Sequence, residues 1–145
     1  MRLLLRPALE IDFDFCQSLN RLNMAPYFAA RNISWDPQHY LTSWSQFENF
    51  VITADGISVG VLRLLEVDGA LEIRDLQILP SHRRQGIGQW AVIQTKAHAT
   101  NRAISELRLR VYLDNPAQSL YLQRGFHPVA TTNGVVHMAC VLPPN

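Results

Sequence analysis

Three dipeptides limit what this chain can become: Asp55-Gly56, Asp68-Gly69 and Asn133-Gly134. Each lies between apolar runs and supplies the two positive-φ residues that a tight type I′ hairpin needs. The first two turns join residues 50–54 to 57–61 and 61–67 to 71–79, which predicts three consecutive antiparallel strands. The third folds residues 126–131 back on 135–142 as a closing hairpin.

Helical signals fill the gaps. Residues 2–6 form a short apolar run ended by Pro7, a first strand. Asp12 is placed to cap a helix on which Phe15, Leu19 and Leu22 recur at helical spacing. Residues 24–34 carry Pro26 and read as a loop or broken helix. Asp36-Pro37 is a carboxylate cap followed by proline, and Tyr40, Trp44 and Phe47 line one face of the helix it starts. A third helix opens at Gly86 and fades near Asn101. Leu107, Leu109 and Val111 then alternate with Glu106, Arg108 and Arg110 as a strand with one polar face. Asn115-Pro116 starts a fourth helix that Gly125 stops. The order is strand, two helices, three strands, helix, strand, helix, two strands: an α+β sheet with helices on its faces. We read residues 1–145 as a single domain, a length that buries a sizeable core without metal or disulfide.

The most informative stretch is Leu76 to Gln89. An apolar strand ends at Pro80, a basic loop follows, and Gly86 and Gly88 open a helix. Glycines let a ligand approach the backbone closely. The free N–H groups and the positive end of the helix dipole make an anion site, with Arg83 and Arg84 at its edge. Such a loop suits phosphate or pyrophosphate. It lacks the GK[ST] ending of a nucleotide-triphosphatase loop and the third glycine of a dinucleotide fingerprint. The plain alternative is a glycine turn used only for packing.

Arg83-Arg84-Gln85-Gly86-Ile87-Gly88 resembles the (Q/R)xxGx(G/A) signature of GNAT acyltransferases. Val111 through Asn115 and Ala117, then Tyr121 through Gly125-Phe126, is similar to the family's second half, "V…N..A…Y…GF". The resemblance implies a mixed, mostly antiparallel seven-stranded sheet flanked by about four helices, with splayed central strands. It further implies acetyl-CoA as acyl-donor co-substrate, and no metal. Backbone groups of Ile78 and Leu79 would meet the pantetheine arm. N–H groups from Arg84 through Gln85, Gly86, Ile87 and Gly88 would hold the pyrophosphate, with Arg83 and Gln89 beside them. Asn115 would touch the cofactor from the far side, a role compatible with capping its helix. Tyr121 would donate a proton to the departing CoA sulfur; otherwise it is a core aromatic.

An amine near its reference pKa of about 10 is mostly ammonium at neutral pH, so a base or proton wire is needed. Glu72 stands eleven residues before Arg83, the spacing of the family's histone-acetylating branch, and is the favoured base, acting through water. Asp75 is the alternative, and the two share a face only if a bulge intervenes. Glu72 would otherwise pair with Arg74, Arg63 or Arg110. His82 and His137 are weaker candidates. Arg110 stands where the branch acetylating ribosomal-protein N-termini has an acid, so the resemblance does not extend to that branch; it is also placed to meet an acceptor carboxylate.

The acceptor is expected to be a small-molecule or peptide amine. Its wall would come from the aromatic-rich first helices, which hold Met24, Tyr27, Phe28, Trp35, Tyr40 and Trp44, although most such aromatics are core. A catalytically silent CoA-binding sensor is the rival reading. Net charge is +1, with twelve arginines and the single Lys96, so no field draws the chain to nucleic acid or membrane. A homodimer is compatible with all of this. Cys16 and Cys140 lie far apart at apolar positions and read as reduced thiols. No apolar run nears the ~18 residues of a membrane span, and residues 1–7 are too short for a signal peptide. These features point to the cytoplasm.

Overall fold

Turn chemistry lays out the sheet. In the computed structural model, which describes residues 1–144, all three dipeptides take positive φ at both positions, from 49° at Asp55 to 83° at Gly56. The strands are β1 (Leu3–Pro7), β2 (Glu48–Ala54), β3 (Ile57–Val67), β4 (Ala70–Ile78), β5 (Glu106–Tyr112), β6 (His127–Thr132) and β7 (Val135–Val141). The helices are α1 (Phe13–Ala30), α2 (Pro37–Gln46), α3 (Ile87–Asn101) and α4 (Ala117–Gln123). The strands form one α+β sheet in the order β1-β2-β3-β4-β5-β7-β6. Its pairs are antiparallel except β4–β5, which is parallel.

Alternation along the strands gives the sheet two apolar faces. Cys16 and Leu19 of α1 and Tyr40 of α2 bury against Val51 and Val61. On the other face Val92 and Ala99 of α3 and Tyr121 of α4 pack with Leu62, Leu64, Leu71, Ile73 and Leu107. Each fully buried aliphatic side chain contributes about 1.5–3 kcal/mol relative to exposure. Among the described residues no helix is long and apolar enough to cross a membrane.

Two local expectations fail. Residues 24–30 are not a loop or a broken helix: α1 continues through Pro26 to Ala30, and only residues 31–34 leave it. Proline removes the bond to the Leu22 carbonyl, but Leu22 is exposed, so water can replace it. Tertiary bonds from Asn20 and Asn23 to β4 fix this helix in place. Asp12 does not cap α1 either. It ends a short 3-10 turn and accepts from the Arg6 guanidinium (2.7 and 3.0 Å) and the Leu9 N–H (2.8 Å). A stronger cationic partner takes the carboxylate that sequence assigns to the helix end.

Candidate functional site

The parallel pair is short. β4 and β5 pair only from Leu71–Leu107 to Ile73–Leu109, although β4 runs on to Ile78 and β5 to Tyr112. Beyond those pairs the strands part, as the splayed sheet requires. A cavity of about 890 Å³ opens there, lined by Asp75 and Gln77 from β4, Arg110 and Tyr112 from β5, Asn115, and Tyr121 of α4.

At one end of this cavity lies the loop between β4 and α3. Pro80–His82 makes a 3-10 turn, and Arg83 lines the cavity. Arg84 has φ +61° and Gly86 φ +79°. Left-handed residues within a turn gather successive N–H groups into an anion-binding concavity. Only glycine takes such a φ without strain, which accounts for Gly86. The first backbone bond into α3 runs from the Trp90 N–H to the Gly86 carbonyl (3.0 Å), and no side chain caps the helix. The preceding first-turn N–H groups therefore have no partner within the helix. With no acid in that turn, nothing opposes an anion there. Gly88 serves packing: a Cβ there would lie 3.2 Å from Leu120 of α4. Ile87 is core, so its backbone alone faces the site. The Gln89 side-chain amide lies against the Arg124 guanidinium of the chain after α4, and turning its oxygen toward the cation satisfies both groups.

At the strand end, the Leu79 N–H donates to the Val59 carbonyl (2.8 Å), and the Ile78 carbonyl accepts from Asn23 Nδ2 (3.0 Å). Asn115 Oδ1 accepts the Ala117 N–H (2.9 Å), so its cap is formed and its amide nitrogen is left over.

A β-bulge decides where the carboxylates point. Arg63 of β3 opposes Asp75, and Leu64 opposes Ile73, leaving Arg74 as the extra residue. The phase of alternation changes there. Leu71 and Ile73 face the α3 core while Asp75 and Gln77 face α1. Glu72, which alternates with Leu71 and Ile73, emerges on the same face as Asp75. The two sit in different hollows. Asp75 lines the main cavity, whereas Glu72 lines a second hollow with Arg108, Arg110 and His137. Ile73, Arg74, Leu109 and Arg110 border both, so the hollows share a rim. Glu72 accepts from Arg74 (2.9 Å), one of the pairings its sequence context allowed.

Asp75 is buried beside Arg63 (3.8 Å), which is itself 3% exposed. Burial raises the Asp75 carboxyl above the usual range, while Arg63 and the amides of Gln77 and Asn20 pull it back down. Asn20 Nδ2 and Gln77 Nε2 each donate to it at 2.9 Å, and Trp35 Nε1 donates to Asn20 Oδ1 (2.8 Å). Arg83 Nη2 donates to Asn23 Oδ1 (2.8 Å), and Asn23 Nδ2 to Gln77 Oε1 (3.1 Å). One polar chain thus runs from the glycine loop to the buried acid. Sequence reading missed Asn20, Asn23 and Gln77; the polar residues at 20 and 23, three apart within an otherwise amphipathic helix, were the available signal. Tyr121 is 7% exposed and meets Phe126 edge-on (5.7 Å). Burial pushes its phenol well above the usual tyrosine range, so it stays protonated at physiological pH. Met24, Tyr27, Phe28, Trp35 and Tyr40 line the cavity, whereas Trp44 packs in the smaller core.

Residues 16–126 match the model of the acetyltransferase (GNAT) family. No curated protein sequence matches the chain. In fold it is similar to the PaiA N-acetyltransferase from Thermoplasma acidophilum in complex with coenzyme A, with 17% identity over 97% of this chain and 99% of that one and a TM-score of 0.79. It is similar to an acetyltransferase from Bacillus subtilis in complex with CoA (19%, 98% and 100%, 0.77). The ribosomal-protein-S18-alanine N-acetyltransferase from Escherichia coli is another structure of this shape (18%, 99% and 96%, 0.77).

Proposed function

Because the chain belongs to the GNAT acetyltransferase family and is therefore an N-acetyltransferase, we propose that it transfers the acetyl group of acetyl-CoA directly to a primary amine of a small molecule, amino acid or peptide. One observation carries this reading: the opening between β4 and β5 ends at an uncapped helix start with left-handed backbone at Arg84 and Gly86. The opening suits a pantetheine arm, and the helix start suits a diphosphate. Residues Arg83 to Gln89 would hold the diphosphate, mainly by backbone N–H groups. Ile78 and Leu79 would border the arm. The Ile78 carbonyl already accepts from Asn23 and keeps a second lone pair for an N–H of the arm. Asn115 keeps its cap and has an amide nitrogen to offer from the opposite strand end.

In the reaction the amine nitrogen attacks the thioester carbonyl, the C–S bond breaks, and the sulfur takes a proton. Tyr121, kept protonated by burial, is the donor to the sulfur. Glu72, across the rim of the second hollow, accepts the ammonium proton through water. Each Asp75 oxygen accepts from one amide, Asn20 or Gln77, and Arg63 opposes its charge, which favours a positioning role over proton transfer. Residues 1–145 act as one N-acetyltransferase domain. Buried, unpaired Cys16 and Cys140 support a reducing, cytoplasmic setting.

The test is thiol release from acetyl-CoA across an amine panel. Tyr121→Phe is expected to lower kcat by about 100-fold while CoA affinity changes little. Glu72→Gln is expected to lower turnover most at the acid end of the pH–rate profile. CoA binding without release across the panel, with Tyr121→Phe silent, would instead make the chain a sensor. An unchanged pH profile in Glu72→Gln would remove Glu72 as the base.

A further inference from the structure

Of the arginines around the two hollows, one is left with neither an ion pair nor a hydrogen-bond partner among the described residues. Arg63 opposes Asp75 (3.8 Å), Arg74 pairs with Glu72 (2.9 Å), and Arg108 pairs with Glu106 (2.8 Å). Arg83 belongs to the glycine loop and donates to Asn23 (2.8 Å). Arg110 alone of the arginines lining these hollows has neither an ion pair nor a side-chain hydrogen bond among the described residues. The remaining acid of the main cavity, Asp36, is committed to capping α2 through the Gln38 N–H (2.9 Å).

The position of Arg110 is as telling as its lack of a partner. It follows Leu109, the last β5 residue paired with β4, so it stands where the strands part. It borders both hollows, between the one that holds Tyr121 and the one that holds Glu72. Its register partner on the neighbouring β7 is His137, which offers no negative charge.

We infer that Arg110 binds the carboxylate of the acceptor, and that the acceptor is a free amino acid whose amine and carboxylate lie on one residue. This rests on the acetyltransferase reading above. A planar guanidinium offers a carboxylate two parallel donors, which fixes orientation as well as position. The same charge repels a second ammonium, so polyamines are disfavoured. The carboxylate on Arg110 leaves the α-amine pointing along the rim. The wall beyond Arg110 is aromatic: Tyr112, two residues on along the strand, stacks on Tyr27 (centroids 6.1 Å) and meets Phe28 edge-on (6.4 Å).

The experiment compares each L-amino acid with its α-amide and its decarboxylated amine as acceptors, with X-Gly dipeptides as a further arm, in wild type and Arg110→Gln. At least one free acid is expected to exceed its amide in kcat/KM by about tenfold or more, chiefly through KM. Arg110→Gln is expected to bring that ratio toward one. Amides or dipeptides serving as well as free acids, or Arg110→Gln lowering acid and amide by the same factor, overturns the inference. Turnover confined to amines without a carboxylate also overturns it while leaving the transferase intact. If no amine is acetylated, calorimetry of the CoA-loaded protein with the same amino acids decides: binding lost in Arg110→Gln upholds the carboxylate site and sinks the transferase reading, and no binding sinks the inference as well.

Discussion

Arg63 and Asp75 face each other across β3 and β4 with almost no contact with solvent, and the guanidinium also lies over the Tyr40 ring (4.2 Å) and the Phe47 ring (4.8 Å). Breaking a buried pair by removing one partner leaves an uncompensated charge, whereas replacing both with apolar groups removes the desolvation penalty as well. Asp75→Ala is therefore expected to destabilise the protein by about 3 kcal/mol. Arg63→Met combined with Asp75→Leu should recover most of that loss in urea unfolding. A double change costing as much as the sum of Asp75→Leu and Arg63→Met made singly would show that the pair is not coupled. The buried pairing was not legible in the sequence, which offered a bulge only as the condition for Glu72 and Asp75 to share a face. The bulge at Arg74 carries no glycine or proline to announce it, and it sets Asp75 opposite Arg63, a pairing that depends on residues from both strands. By contrast Gly86 and the hairpin dipeptides were legible because their backbone conformations are ones that few other residues adopt.

For the elements, the N-terminus of α3 has two opposed demands. As a helix it is incomplete, with no side-chain cap and no acid in its first turn. As an anion site it needs that incompleteness. Gln89→Glu separates the demands, because an acid in the first turn suits the dipole and also faces the Arg124 guanidinium. Thermal unfolding should show a gain of about 0.5 kcal/mol, while calorimetry should show CoA binding weakened several-fold by charge repulsion. Stability and affinity moving in the same direction would contradict the assignment of this helix end. The start of α3 could be read from sequence because glycine marks it. The length of α1 could not, since Pro26 is a valid local stop signal that the asparagine contacts to β4 override.

Across the whole molecule, the sheet works as a clamp opened at one place. Among the described residues five antiparallel pairings hold the strands in register, and the single parallel pair stops after three residue pairs, leaving the ends of β4 and β5 free to admit a ligand. α1 and its asparagines line one side of the opening, and α4 with Tyr121 lines the other. The order of elements was legible from turns and periodicity. The depth of the opening was not, because where two strands stop pairing depends on helices packed from both faces. A crystal structure of the protein with CoA measures the central claim directly. Diphosphate oxygens should accept from N–H groups between Arg84 and Gly88, with the pantetheine arm lying between β4 and β5. A diphosphate bound elsewhere, or strands that stay closed around an empty opening, would contradict it.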